Sequence, residues 1–305
     1  MKGLKGIFLL IAANFLIFLT LAISGTILIQ FVLPAFGIDL RGSVATYQFA
    51  WAMVFGFGGA FISLFLSKTL AKRGMRMQQV LSPSTAKEKL VFHTVQELAA
   101  REGIKMPEVW VYWDDVPNAF ATGPTRNNAM VAVSSGLVMN LSDDEVKAVL
   151  AHEVGHIANG DMVAMTLLQG LMNTFVYFLA SMIARVVASA GSRNGEMNTM
   201  LYFVVDMILQ VVFSMLALVV VSWFSRRREY RADAYAAGAY GSQPMISALA
   251  RLQAVTAKVP EAAFKQADAD PVAAMKINGH GRLMHLFSTH PPIEQRIAAL
   301  RQFRK

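Results

Sequence analysis

Residues 142–160, SDDEVKAVLAHEVGHIANG, read as one helix, and the rest of the chain is best interpreted from it. Ser142 and Glu145 have the spacing of a capping box, with Leu141 and Val146 as the flanking hydrophobic staple. Gly160 supplies a stop. Between them, Val146, Val149, Leu150, Val154 and Ile157 form an apolar stripe suited to a core. His152 and His156 are four residues apart, so their side chains leave one face of the helix. That face lies off the stripe, over small Ala148, which predicts an exposed pair. Glu153 is turned about 100° from His152, and Gly155 is expected to keep the surface low between the two rings.

Two imidazoles one turn apart can hold a metal ion. The chain has no cysteine, so thiolate ligation and disulfides are excluded. A catalytic zinc then needs a third His or carboxylate ligand and one open position. Glu153 would stand beside such a metal, able to take a proton from a water whose pKa the metal lowers to about 7. One segment answers the need for a third ligand: REYRADA, residues 228–234, in which Glu229 and Asp233 are again four apart. Either can ligate while the other hydrogen-bonds a ligand imidazole from behind. Alone, this segment reads as a solvated helix start; the missing ligand reverses that reading.

Composition places the site in a membrane protein. Of 305 residues, 55% are hydrophobic and only 16% charged, well below the quarter or so of a soluble domain. The net charge of +8 does not read as a nucleic-acid surface, because the basic residues cluster beside apolar runs. Residues 6–33 and 49–66 form an expected hairpin of membrane spans, flanked by Lys2 and Lys5 on one side and Lys68, Lys72, Arg73 and Arg76 on the other. A short external loop falls near Gly37 to Gln48. Two further runs, 164–190 and 200–224, carry Gln169, Asn173, Arg185, Asp206 and Gln210 and read as two more spans, followed by Arg226, Arg227 and Arg228.

The intervening sequence is soluble in character. A capping box at Thr85 and Glu88 opens a helix that closes before Gly103. EVWVYWD, 108–114, is β-rich; NAFAT, 118–122, and AMVAVS, 129–134, are separated by turn-prone GPTRNN and predict a hairpin. A helix is expected over Gln243 to Thr256 and a short one at the terminus. The expected organisation is therefore a transmembrane hairpin (1–67), a first protease segment with HEVGH (68–163), two hydrophobic helices (164–225) and a second protease segment (226–305). The fold class is mainly α with a small β-sheet, a multi-pass α-helical membrane protein bearing a zincin-like metalloprotease domain.

HEVGH with EYRADAYA downstream resembles the gluzincin family, which takes in bacterial heat-shock membrane proteases and the eukaryotic CAAX prenyl proteases. The resemblance extends over nearly the whole chain: the apolar hairpin, NAFATG, HEVGH, two later apolar runs, EYRAD and STHPPIEQRI. It implies Zn2+, one per subunit, held by His152, His156 and Glu229, with Asp233 supporting an imidazole and Glu153 as the acid–base group. It implies that Asn118, Ala119, Phe120 and Ala121 form an edge strand to which extended substrate adds, although Phe120 also suits a core. His290 resembles a family histidine near the site, a candidate oxyanion donor; it reads equally as a loop residue capping the last helix, and Arg296 is the alternative donor. His93, His280 and His285 belong to no motif.

The expected activity is hydrolysis of peptide bonds in membrane proteins, misfolded or damaged ones by the resemblance, with self-cleavage among its reactions and a stress-response role. The intervening spans must be even in number for His152 and Glu229 to meet, and the basic flanks put them on the cytoplasmic face of the cell (inner) membrane. No GxxxxGK[ST] loop is present, so no nucleotide is expected, nor any nucleic-acid partner. Two other readings compete: an intramembrane protease, disfavoured by the polar LSDDEVKAV before HEVGH, and a metal-binding membrane scaffold or transporter, whose best features are Asp206 and Arg185.

Overall fold

The computed structural model describes residues 19–40, 42–190, 197–256 and 288–303. His280 and His285 lie outside them, as do residues 6–18 of the first apolar run. The chain divides into two compact units, one of Met1–Ser63 with Thr166–Val221 and the other of Leu64–Met165 with Ser222–Lys305.

The first unit is helical. An apolar helix, α1, runs over Leu19–Ala35. Three others are long and apolar enough to cross a bilayer among the described residues: α2 (Val44–Gly74), α6 (Asp161–Ala190) and α7 (Thr199–Tyr240). Only 11% of the most apolar window of α7 is buried within the protein, so its remaining apolar faces require a nonaqueous surrounding. Helices α2 and α6 approach closely at Gly56, where an added Cβ would first meet Thr174 Oγ1. A Cβ on Gly56 would lie 2.7 Å from the Thr174 backbone nitrogen and 2.9 Å from the Gly170 carbonyl, the small-residue contact by which membrane helices pack. Phe49 and Phe178 meet edge to face nearby, with centroids 5.3 Å apart.

The second unit builds a four-stranded sheet. Its strands are β1 (Met77–Gln79), β2 (Glu108–Tyr112), β3 (Ala119–Thr125) and β4 (Asn128–Ser134), in the order β1-β2-β4-β3. β2 runs parallel to β4, with Trp110 opposite Ala132; β3 is antiparallel to β4, with Ala121 opposite Val131. The expected hairpin forms, but only Arg126 and Asn127 turn. Gly123, Pro124 and Thr125 belong to β3, where an irregularity between Thr122 and Thr125 accommodates them. One sheet face, including Ala119, Val131 and Val133, packs with α3 (Ala86–Arg101) and α5 (Asp143–Asn159). The other, with Tyr112, Phe120, Met130 and Ala132, packs on Ala71 of α2, which makes Phe120 core. A one-turn-and-a-half helix, α4 (Ser135–Asn140), joins β4 to α5; α8 (Ser242–Thr256) and α9 (Ile293–Gln302) complete the unit.

Both capping boxes form. Thr85 Oγ1 accepts from Glu88 N and Glu88 Oε2 accepts from Thr85 N, each at 3.1 Å; Ser142 and Glu145 repeat the pair at α5. Such caps are each worth about 1 kcal/mol. The helix α7 extends past the apolar run of residues 200–224. It continues without interruption to Tyr240, so Arg226–Arg228, Glu229 and Asp233 stand on the same helix as the apolar run.

Replacing Gly56 by Ala is expected to lower the thermal midpoint of the detergent-purified chain, at a cost of about 1–3 kcal/mol from overpacking. Gly59→Ala, where a Cβ would meet nothing within 4 Å, is the control. Equal midpoints for the two variants would mean that α2 and α6 need no such close approach.

Candidate metal centre

The α5 backbone sets His152 and His156 one turn apart and brings their Nε2 atoms to 3.2 Å, with the rings at 88° to each other. Glu229 of α7 faces both. Its Oε2 is 3.4 Å from His152 Nε2 and its Oε1 is 3.3 Å from His156 Nε2. Ligand atoms about 2.0–2.1 Å from a tetrahedral zinc are separated by about 3.3 Å; these separations, with one ligand atom from each residue within 4.8 Å of the others, suit one such ion. Glu229 has no solvent exposure, and its Oε1 has no hydrogen-bond partner. A buried carboxylate oxygen aimed at two imidazole nitrogens is what a cation would complete. These residues fit zinc.

The pair is not exposed. His152, Glu153 and His156 are 5, 8 and 8% accessible. The face opposite the apolar stripe is covered by α7, by the segment 288–290 and by Arg296 of α9, none of which the periodicity of α5 can reveal. Gly155 also serves differently from the expectation. A Cβ there would come within 3.0–3.3 Å of the Tyr235 side chain, so its bareness lets α7 pack close to α5, the helix pair that brings Glu229 to the histidines.

Each ligand ring is gripped from behind. His152 Nδ1 is 2.9 Å from Asp233 Oδ1, and His156 Nδ1 is 2.6 Å from Asp161 Oδ2. Donation from Nδ1 to these carboxylates leaves each Nε2 lone pair pointing to the shared centre. Arg296, only 2% exposed, clamps Asp233 through Nε and Nη2 at 2.8 and 2.6 Å. Two of its three guanidinium nitrogens are thus committed away from a reacting carbonyl. Asp161 escaped the sequence reading. Its only local signal is an acid directly after the helix stop at Gly160, and the guanidiniums that flank it, Arg228 and Arg231, come from α7.

His290 stands at the third side of the carboxylate, its Nδ1 2.7 Å from Glu229 Oε2. Its segment is fixed by Arg226 Nη1 donating to Ser288 O at 3.0 Å and by Ser288 Oγ donating to His290 O at 2.8 Å. His93, by contrast, is a surface residue bonded to Gln96 within α3.

Burial and charge act against each other here. Burial would raise the Glu229 pKa, but His290 and the hydrogen bonds from the imidazoles hold it well below the usual carboxylate range. Burial would depress His152, yet the Asp233 and Glu229 carboxylates outweigh it and lift the ring to about 9. Glu153 goes the other way: burial raises its pKa and the neighbouring histidines only partly offset that.

A cavity of about 280 Å³ opens beside these groups and is lined also by Ala119–Thr122 of β3, the edge strand of the sheet. Asn118 precedes that strand. Its backbone is tied to Ser134 in both directions, and its buried side chain is not among those lining the cavity.

Comparisons agree with this arrangement. The model of peptidase family M48 matches residues 85–304. Protease HtpX of Shewanella halifaxensis (strain HAW-EB4) is 44% identical over 98% of this chain and 99% of its own. Protease HtpX of Pasteurella multocida (strain Pm70) is 46% identical over 94% and 97%, and the Protease HtpX homolog of Herminiimonas arsenicoxydans is 45% identical over 98% and 99%. The crystal structure of Ste24p from S. mikatae superposes with a TM-score of 0.58 at 21% identity; it covers 95% of this chain, which spans 65% of that one. Helices long enough to cross a bilayer, a His-His-Glu cluster and a family match over most of the sequence converge: the chain belongs to peptidase family M48 and is a membrane-bound metalloprotease.

Proposed function

We propose that the chain is a zinc-dependent endopeptidase cutting membrane proteins at the cytoplasmic face of the inner membrane. The observation that carries this reading is the triangle of His152 Nε2, His156 Nε2 and the Glu229 carboxylate, with Glu153 beside it and a cavity in front. His152, His156 and Glu229 would hold the zinc, which when bound would supply Lewis acidity.

Everything else falls to the chain. Glu153, with its pKa raised by burial, takes the proton from the attacking water and delivers it to the leaving amine. Asp233 and Asp161 hold the imidazoles in one orientation, and Arg296 holds Asp233. An extended substrate adds to the edge of β3 by main-chain hydrogen bonds, along Ala119–Thr122 where that strand lines the cavity, with Asn118 at its start. His290 secures Glu229 and lines the cavity, where its ring also serves the developing oxyanion.

The cytoplasmic assignment is supported by Lys68, Lys72 and Arg73 after the apolar run of α2, and by Arg226–Arg228 after that of α7. Hydrolysis needs no ATP, in keeping with the lack of a phosphate-binding loop in the sequence. The resemblance to heat-shock proteases supports a quality-control role against misfolded or damaged membrane proteins, and self-cleavage.

Glu153→Gln is expected to keep one zinc per chain while losing about 10²-fold or more of its cleavage of a model membrane protein. Glu229→Ala should lose the metal as well. A zinc-loaded Glu153→Gln protein with full activity would sink the mechanism. Asp161→Asn should retain the fold and weaken zinc binding about 10–100-fold, read by competition with a chelator. Metal uptake should also depend on pH. Below about 9 the metal-free His152 carries a proton that the metal must displace. Affinity therefore rises as pH increases toward that value and falls in acid; titration calorimetry in buffers of different ionisation enthalpy would detect the released proton, and a pH-independent affinity would contradict it.

A further inference from the structure

The helical unit contains a second polar site, far in character from the metal centre. A cavity of about 500 Å³ lies among α2, α6 and α7, within the ~300–1,000 Å³ typical of small-ligand sites. Tyr47, Trp51, Arg185, Tyr202 and Asp206 line it, all within about two turns of the helix ends at Val44, Ala190 and Thr199. Rings of Tyr and Trp at such a depth belong to the headgroup level of a bilayer.

Its charges are arranged unusually. With the Gln48 amide oriented so that Oε1 faces Arg185, that oxygen accepts from Arg185 Nη2 and Nε at 3.2 Å each. This uses two of the five guanidinium N–H groups. Asp206 Oδ2 accepts from Gln210 Nε2 at 2.7 Å, while Oδ1 is shielded from solvent without a partner. A cation and an anion on apolar membrane helices usually pair. Among the described residues these two make no ion pair, although both face the same cavity. A ligand carrying both charges would satisfy both.

An apolar trough adjoins the cavity and shares Asp206 and Gln210 with it. It follows Phe203, Met207, Val211, Met215 and Leu218 along one side of α7, about 22 Å of helix. That is the scale of a long acyl chain, and it begins beside the polar cavity.

We propose that this cavity binds a zwitterionic phospholipid with a phosphoethanolamine headgroup. Its phosphate meets Arg185, its ammonium meets Asp206 amid the aromatic rings, and one acyl chain lies along the Phe203–Leu218 trough. Asp206 disfavours lipids that carry the phosphate without the ammonium, and Arg185 disfavours lipids without phosphate. The site is independent of the zinc chemistry.

The test is native mass spectrometry of the full chain in detergent, titrated with dioleoyl phosphatidylethanolamine, phosphatidylglycerol or dioleoylglycerol. The wild type should bind the ethanolamine lipid about tenfold more tightly than either of the others, the effect of one charge-assisted hydrogen bond. Asp206→Asn should erase the preference over phosphatidylglycerol, and Arg185→Gln the preference over dioleoylglycerol. Glycerophosphoethanolamine, which lacks acyl chains, should not displace the bound lipid at equal concentration. Equal affinities for the three lipids on the wild type would overturn the proposal without recourse to any variant. So would preferences unchanged in both variants, or displacement by glycerophosphoethanolamine, which would assign the cavity to a soluble zwitterion.

Discussion

The Glu229 carboxylate is withdrawn completely from water and set among three imidazoles, and the catalytic unit is organised around keeping it there. A buried anion costs several kcal/mol unless it is surrounded by compensating charge and hydrogen bonds. Here α5 contributes two rings and the 288–290 segment the third. Those rings must in turn be held, which explains Asp233 behind His152, Asp161 behind His156 and Arg296 behind Asp233. Three distant stretches of the sequence, 152–161, 229–233 and 290–296, are thereby pinned to one point.

The same network shows how the site tolerates a change of occupant. Without metal, protons on the imidazoles balance the converging carboxylates, which is why His152 is lifted and Glu229 lowered. A divalent cation can take over that balancing role as the protons leave. Charge near the centre thus changes little between the two states, and the surrounding hydrogen bonds at Nδ1 need not be remade.

Much of this was legible in the sequence because it is local. The HEVGH spacing, both capping boxes and the stop at Gly160 depend on residues within one or two turns of each other. Glu229 became legible only through the chemistry of elimination and the family resemblance. What stayed hidden depends on distant partners. The burial of His152 and His156 is imposed by α7 and α9, and Asp161 gains its role only when Arg228 and Arg231 arrive beside it. The helix α7 runs on past the point where its composition turns basic, since no Pro or Gly interrupts it before Gly238, and Arg, Glu and Ala sustain a helix well. Likewise Gly123 and Pro124 signal a turn, but pairing with β4 draws them into the sheet. The three-residue strand β1 forms through its ladder with β2.

The position of β3 has a consequence for what reaches the metal. An unpaired strand edge attracts any backbone in extended form, including the edges of other sheets, and is ordinarily an aggregation hazard. In this chain the residues of that edge line a recess rather than an open flank. A folded domain presents its strands already paired and too bulky to enter, whereas a lone unravelled segment can slide in. Under the proposed function the recess would therefore sort polypeptides by whether they have lost their structure, using main-chain hydrogen bonds that are indifferent to side-chain identity.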